Sequence, residues 1–111
     1  MLKPIMWLGD SLARLRAAPA DIRSEAGYQL DLAQRGEAPA DFRPMPDVGA
    51  GVMEIRIHGD SESRVFYVAR FEEAVYVLHS FVKKTQATRK ADIELGKARY
   101  SAMLETRRGR T

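Results

Sequence analysis

Residues 52–82 read VMEIRIHGDSESRVFYVARFEEAVYVLHSFV, and this stretch decides the fold class. Apolar and polar side chains alternate over residues 52–58, and a period of two is typical of a half-buried β-strand. The alternation returns over 64–71, whereas 74–82 is almost continuously apolar, as in a strand covered on both faces. Short polar turns separate the three runs. We therefore predict three consecutive antiparallel strands joined by short turns.

The chain before these strands predicts a short strand and a helical hairpin. Residues 3–8 (KPIMWL) are mostly apolar with a proline near their start, and proline is tolerated in an edge strand. A first helix is predicted to start at Asp10 and to stop before Pro19, because proline cannot continue a helix. A second helix follows and ends at Gly36. Its predicted apolar stripe, at helical spacing, consists of Ile22, Ala26, Leu30 and Ala33.

The remaining segments complete an α+β domain. Residues 37–50 hold several prolines and glycines and are predicted to form a loop. A last helix is predicted with one apolar face, made of Ala91, Leu95, Ala98 and Ala102. We predict an N-terminal strand and a helical hairpin packed on an antiparallel sheet, with a C-terminal helix and the helices on one face. Residues 1–106 form a single domain in this prediction, and 107–111 (RRGRT) form a basic flexible tail.

Composition excludes several classes of protein. The chain has 111 residues, 45% of them hydrophobic and 30% charged, which suits one folded domain. It has no cysteine, which excludes a disulfide scaffold and any cysteine-ligated metal site, and its two histidines make a histidine-rich metal centre improbable. No apolar run approaches the roughly 20 residues of a membrane-spanning helix, and residues 1–8 lack the features of a signal peptide. We expect a cytoplasmic protein without a membrane partner.

The charge is distributed unevenly along the chain. Residues 1–82 contain nine Lys or Arg against twelve Asp or Glu, whereas residues 83–111 contain nine against three. A basic end on an acidic body favours a polyanionic partner, usually a nucleic acid. The alternative is a solvated helix face followed by a frayed tail.

Candidate functional residues are cations carried by the strands. The sequence contains no phosphate-binding glycine loop, no H-E-x-x-H motif and no nucleophile elbow, so metal, nucleotide-cofactor and acyl-enzyme chemistry lack a motif. Arg56 and Arg64 lie on the polar faces of successive strands, and Lys83 and Lys84 follow the third. Together these four can line a positive surface that binds phosphate. The alternative is that they serve solubility and pair with neighbouring carboxylates.

Four other side chains are candidates with a structural alternative. His79 lies in the third strand, predicted on the side of Val77 and Phe81, either as an acid–base group or as a satisfied core residue. Phe66 shares the face of Arg64 and can either stack on a base or pack in the core. Arg99 and Tyr100 on the last helix are candidate nucleic-acid contacts, with helix packing as the alternative.

Several segments, taken in order over residues 3–100, resemble phage-derived HigB-like members of the RelE/ParE toxin superfamily. The matching segments are KPIMWLGDS (3–11), QRG (34–36), DFRPM (41–45), VGAGVMEIR (48–56), RVFY (64–67), LHSFVKKTQAT (78–88) and DIELGKARY (92–100). The resemblance implies a RelE-like fold and the toxin of a type II toxin–antitoxin pair. Such toxins typically enter the ribosomal A site and cleave mRNA there, and the implied partners are the ribosome, mRNA and an antitoxin encoded adjacently.

The chemistry that the resemblance implies is attack of an RNA 2′-hydroxyl on the adjacent phosphate, without a metal or a small-molecule cofactor. Arg64 matches the strand arginine expected to stabilise the transition state, and Lys84 matches the basic residue expected to act as acid or charge stabiliser. Arg56 and Lys83 are the implied phosphate-binding residues, and Tyr100 is the candidate for the acid–base tyrosine that some members of the superfamily carry near their C-terminus. Two alternatives stay open: a toxin of the same fold that inhibits another target such as DNA gyrase, and a non-enzymatic phage-derived binding module.

Overall fold

The computed structural model describes residues 2–59, 61–83 and 90–109, which form a five-stranded sheet with helices on both faces. Strand order across the sheet is β1-β5-β4-β3-β2. Strand β1 pairs with β5 in parallel, and the other neighbours are antiparallel. In chain order the elements are β1 (Ile5–Trp7), α1 (Ser11–Arg16), α2 (Ala20–Gln34), β2 (Phe42–Pro44), β3 (Val52–Ile57), β4 (Glu62–Val68), β5 (Val75–Lys83) and α3 (Lys90–Arg108).

The three strands predicted from the deciding stretch are confirmed as β3, β4 and β5, but the sheet around them is larger and mixed. The parallel pairing of β1 was not predicted, because residues 3–8 carry no signal for strand direction. Strand β2 lies in the segment predicted as a loop. It is only three residues long and exposed, and it lies at the sheet edge, where its Pro44 is tolerated.

One core packs α2 against the sheet. The predicted apolar stripe of α2 is confirmed, since Ile22, Ala26, Leu30 and Ala33 are all buried there. They meet the faces of β3, β4 and β5 that carry Ile55, Val65 and Val77, so the helical hairpin covers one side of the sheet.

The last helix packs on the opposite side of the sheet, contrary to the prediction that all helices share one face. Its buried residues are Gly96 and Met103, and the predicted alanine face is wrong because Ala91, Ala98 and Ala102 are exposed. Gly96 allows a close approach: a Cβ at this position would lie 3.0 Å from both the Phe66 ring and Val48. Periodicity of apolar residues did not reveal this face, because its central residue has no side chain.

A β-bulge sets the direction of His79. Phe66 pairs with His79 and Tyr67 with Val77, so Leu78 is an extra residue in β5. Val77 therefore packs in the α2-side core, whereas the His79 ring contacts Phe66 and Phe81 on the other side. The prediction that His79 shares the side of Val77 is wrong, and the bulge places His79 on the face that also carries Arg64.

The last helix continues into the segment predicted as a basic flexible tail, residues 107–111. Helix α3 extends to Arg108. The Arg107 Nε donates to Glu73 Oε2 at 2.7 Å, and its guanidinium lies 3.7 Å from the centre of the Phe71 ring. Arg107 thus fastens the end of α3 to the β4–β5 turn. Residues 110 and 111 lie outside the described part. Among the described helices, none is both long and apolar enough to cross a membrane.

Candidate functional site

The α3 side of the sheet carries charged residues near the ends of β3 and β4. Strand pleating puts Glu54 and Arg56 of β3 on the same side as Glu62 and Arg64 of β4. Arg56 lies directly opposite Arg64 in the ladder. Two like charges at directly paired positions destabilise a sheet, so this arrangement requires carboxylates nearby.

Arg64 is held by two carboxylates and a backbone carbonyl. Its side chain is only 5% exposed, with Nε 3.7 Å from Glu54 Oε1 and Nη1 2.9 Å from Glu62 Oε2. Nη1 also donates to the Ser63 carbonyl at 3.2 Å. Nη1 is thereby oriented by two hydrogen bonds, whereas Nε and Glu54 form an ion pair beyond hydrogen-bond distance.

Glu54 is a buried carboxylate shared by two arginines. Its side chain has no exposed surface, and its Oε1 accepts a hydrogen bond from Arg43 Nε at 2.9 Å besides facing Arg64. A buried carboxylate is strongly destabilising unless positive charge compensates for its lost hydration. Glu54 therefore fixes the spacing between Arg43 on β2 and Arg64 on β4.

His58 links the outer carboxylates of this region. Its Nε2 lies 2.6 Å from Asp41 Oδ2, and its Nδ1 lies 2.8 Å from Glu62 Oε1. Hydrogen bonding to Asp41 and then to Glu62 raises the pKa of His58. The same contacts lower the pKa of Asp41 and of Glu62. A protonated His58 can donate to both carboxylates at once.

The sequence places His58 on the polar face of β3, but His58 was not among the predicted functional residues. Its alternation with Glu54 and Arg56 was the available signal. Asp41 was hidden within the proline-containing segment predicted as a loop. Asp41 also contacts Arg56, with Oδ1 3.1 Å from Nε. These contacts join into one set, here called the charge network: Arg43, Glu54, Arg64, Glu62, His58, Asp41 and Arg56.

The two predicted lysines flank this network differently. Lys83, at the end of β5, pairs with Glu62 in the ladder and is half-buried. It therefore adds a positive charge next to the Arg64–Glu62 pair. Lys84 lies outside the described residues.

His79 and Phe66 belong to the core of the same face. His79 is fully buried, its Nε2 lies 2.8 Å from Asp92 Oδ1, and its ring stacks on Phe81 with centroids 4.8 Å apart. Burial lowers the pKa of His79, although Asp92 opposes the shift. Phe66 also has no exposed surface, and it packs edge-on against His79. A base cannot stack on a ring that is covered on all sides, and Phe66 is left out of the proposed RNA site.

Arg99 and Tyr100 make contacts that hold α3 to the rest of the fold. Arg99 donates from Nη1 to the carbonyl of Leu78, the bulged residue, at 3.0 Å, and from Nη2 to Asp10. Arg99 and Arg14 together lower the pKa of Asp10 to about 2. Tyr100 donates its hydroxyl to the Ala50 carbonyl at 2.9 Å. These contacts position α1, β5 and the loop before β3 against α3.

A cleft of about 250 Å³ lies on the opposite, hairpin side of the sheet. Its walls are mainly apolar and include Leu15, Ile22 and Val82, with Ser63 and Ser80 on the strands. Arg64 contributes to the wall, but its guanidinium is directed to Glu54 and Glu62 on the other face. The cleft is therefore separate from the charge network.

The chemistry available at the charge network is anion binding. Across the described residues, no three histidines, aspartates or glutamates are placed to hold a metal ion. Asp41 and Glu62 are separated by the His58 ring, which lies between their carboxylates and contacts both. Buried, oriented guanidinium groups bind phosphate strongly, because they are already desolvated and need little reorganisation.

Comparison with known proteins gives one family. A family model described as Phage derived protein Gp49-like (DUF891) matches residues 13–101, which is most of the chain. No curated protein matches the chain. The matched range spans the charge network, the buried residues of the α2-side core and α3 as far as residue 101.

Proposed function

We propose that this chain, which belongs to the Gp49-like family of phage-derived, toxin-like proteins related to RelE and HigB, is the toxin of a type II toxin–antitoxin system. In this proposal it cleaves mRNA on the ribosome and so halts translation. Its partners are the ribosome with mRNA and a cognate antitoxin encoded adjacently, and it works in the cytoplasm.

The observation that carries the proposal is the environment of Arg64. The side chain is almost fully buried, two carboxylates orient it, and Arg56 faces it across the ladder. A buried ion pair contributes little net stability, because the cost of desolvating the charges offsets their attraction. An arginine that must meet a phosphate in a fixed direction gains orientation from such a pair, because a preorganised cation stabilises developing charge without rearrangement.

The proposed reaction is a transesterification within the RNA. The 2′-hydroxyl loses its proton to solvent as its oxygen attacks the adjacent phosphorus, the bond from phosphorus to the 5′-oxygen breaks, and the 5′-oxygen takes up a proton. The products are a 2′,3′-cyclic phosphate and a 5′-hydroxyl. Arg64 neutralises the charge that builds up on the phosphate oxygens. Lys84 protonates or stabilises the departing 5′-oxygen, while Arg56 and Lys83 hold neighbouring phosphates.

The experiment is induced expression of the chain without its antitoxin, with growth and primer extension on a reporter mRNA followed together. We expect growth arrest and new mRNA ends with the wild type. Arrest without new ends would contradict the nuclease and direct attention to a target such as DNA gyrase, which a supercoiling assay with the purified protein tests. Absence of arrest from a folded protein would favour a binding module without enzymatic activity.

A further inference from the structure

The two carboxylates on Arg64 differ sharply in exposure. The Glu54 side chain is fully buried, whereas the Glu62 side chain is 42% exposed, although both face the same guanidinium. An anion arriving from solvent meets the Glu62 side first. The Glu54 contact therefore persists in any bound state, and the Glu62 contact is the one that a ligand can replace.

We propose that the carboxylate of Glu62 fills, in the free protein, the place on Arg64 that a phosphate group of the RNA takes in the complex. This inference rests on the proposed function and identifies where one phosphate binds. A carboxylate and a phosphate offer a guanidinium similar pairs of oxygen atoms, so the two compete for the same N–H groups. The distance of 2.9 Å from Arg64 Nη1 to Glu62 Oε2 shows that the site accepts an anionic oxygen.

His58 gives Glu62 a second partner. Its Nδ1 lies 2.8 Å from Glu62 Oε1, the oxygen that does not contact Arg64 Nη1. When a phosphate displaces Oε2, the carboxylate keeps its hydrogen bond to His58, which Asp41 holds from the other side. Lys83 is paired with Glu62 in the ladder and supplies further positive charge. Exchange therefore leaves the Glu62 carboxylate with a hydrogen-bond partner.

The test measures RNA binding by the full-length protein without ribosomes. A fluorescently labelled single-stranded RNA of eight nucleotides is titrated with protein at fixed salt, and anisotropy gives the Kd. Glu62→Gln keeps the size of the side chain and removes its charge. We expect about fivefold tighter binding than wild type, the size of effect that corresponds to loss of one competing ion pair near a surface.

The matched control is Glu72→Gln, which removes the same charge from an exposed residue in the β4–β5 turn. It reports the general effect of one negative charge on RNA affinity. A third comparison makes Glu62→Gln in an Arg64→Ala background, where no guanidinium remains to be released. Thermal melting by circular dichroism checks that each variant is folded, and Glu62→Ala is the second variant if the glutamine form is unstable.

The proposal requires a gain for Glu62→Gln that exceeds the gain for Glu72→Gln and disappears in the Arg64→Ala background. Equal gains for the two glutamine variants, or a gain that persists without Arg64, would overturn it. A gain in RNA affinity that is specific to Glu62→Gln, in a protein that cleaves no mRNA on ribosomes, would support the proposed phosphate position on Arg64 and contradict the proposed nuclease. The two failures are thus distinguishable.

Discussion

Arg64 illustrates how charge, burial and backbone geometry combine at a single residue. It faces Arg56 across the ladder, and Glu54 and Glu62 offset the repulsion between the two guanidinium groups. The alternation of β3 and β4 was sufficient to predict that the arginines share a face. The alternation could not predict which carboxylate is buried, because Glu54 and Glu62 lie on the same face of the sheet and differ only in what packs above them.

Removing the Arg64 guanidinium tests its role in cleavage. Arg64→Ala is expected to lower the rate of mRNA cleavage by about 10²–10³-fold, the usual effect of losing one preorganised group that stabilises the transition state. The fold is expected to persist, because Glu54 keeps its contact with Arg43. The measurement is the rate at which new ends appear by primer extension, with Arg16→Ala on the exposed surface of α1 as the control. Full activity in a folded Arg64→Ala variant would remove Arg64 from the mechanism.

His58 predicts a pH dependence of stability. Because its folded pKa is raised by Asp41 and Glu62, its contribution is complete below the unfolded value near 6.5 and is lost as pH rises through the folded pKa. The lowered pKa values of Asp41 and Glu62 act in the other direction, since their contributions are lost in acid. The contacts therefore contribute most between about pH 5 and the raised pKa of His58.

The variant His58→Gln separates this effect from the rest of the protein. Urea unfolding at pH 6 and at pH 8.5 should show a smaller loss of stability with rising pH in the variant than in the wild type. An equal change in the free energy of unfolding between the two pH values in both proteins would show that His58 does not titrate differently in the folded and unfolded states. Comparing the change in the free energy of unfolding between pH 6 and pH 8.5, rather than its value at one pH, cancels contributions from other titrating groups.

At the scale of elements, two helical glycines have opposite roles. Gly27 on α2 is exposed, and a Cβ there would meet nothing within 4 Å, whereas Gly96 on α3 lies against Phe66 and Val48. Gly27→Ala is expected to stabilise the protein by about 0.5–1 kcal/mol through helix propensity. Gly96→Leu is expected to destabilise it by about 1–3 kcal/mol, because the added atoms must displace a packed ring.

Urea denaturation of the two variants checks the pair. A change in the urea concentration at the transition midpoint, with an unchanged dependence of the unfolding free energy on urea, reports a change in stability directly. A stable Gly96→Leu protein would show that α3 can move away from the sheet at little cost. Because α3 covers the face that carries the charge network, that outcome would also change the description of the site.

The contrast between α2 and α3 explains why the buried face of one helix could be predicted from the sequence and that of the other could not. The stripe of α2 consists of alanine, leucine and isoleucine at helical spacing, so periodicity alone identified its buried face. The buried face of α3 is centred on a glycine and was missed. The bulge at Leu78 was also invisible, because 74–82 is apolar at nearly every position and parity cannot be followed there. As a result the sequence could not place His79 on the face of Arg64.

At the scale of the whole molecule, the uneven distribution of charge along the chain is partly compensated in the fold. Arg107 pairs with Glu73, and Arg99 pairs with Asp10, so basic residues of α3 are neutralised by carboxylates of the acidic body. The charge network is balanced in the same way, with Asp41, Glu54 and Glu62 against its three arginines. Net charge alone therefore overstates the positive surface available to a polyanion, and the proposed RNA binding depends on exchange of particular ion pairs.

We propose above all that this chain cleaves mRNA on the ribosome through Arg64. The most direct measurement adds the purified protein to ribosomes paused on a defined, end-labelled mRNA and maps the products. We predict new ends within the A-site codon, with a 2′,3′-cyclic phosphate on the upstream fragment, for the wild type and not for Arg64→Ala. Intact mRNA after incubation with the folded wild-type protein would contradict it.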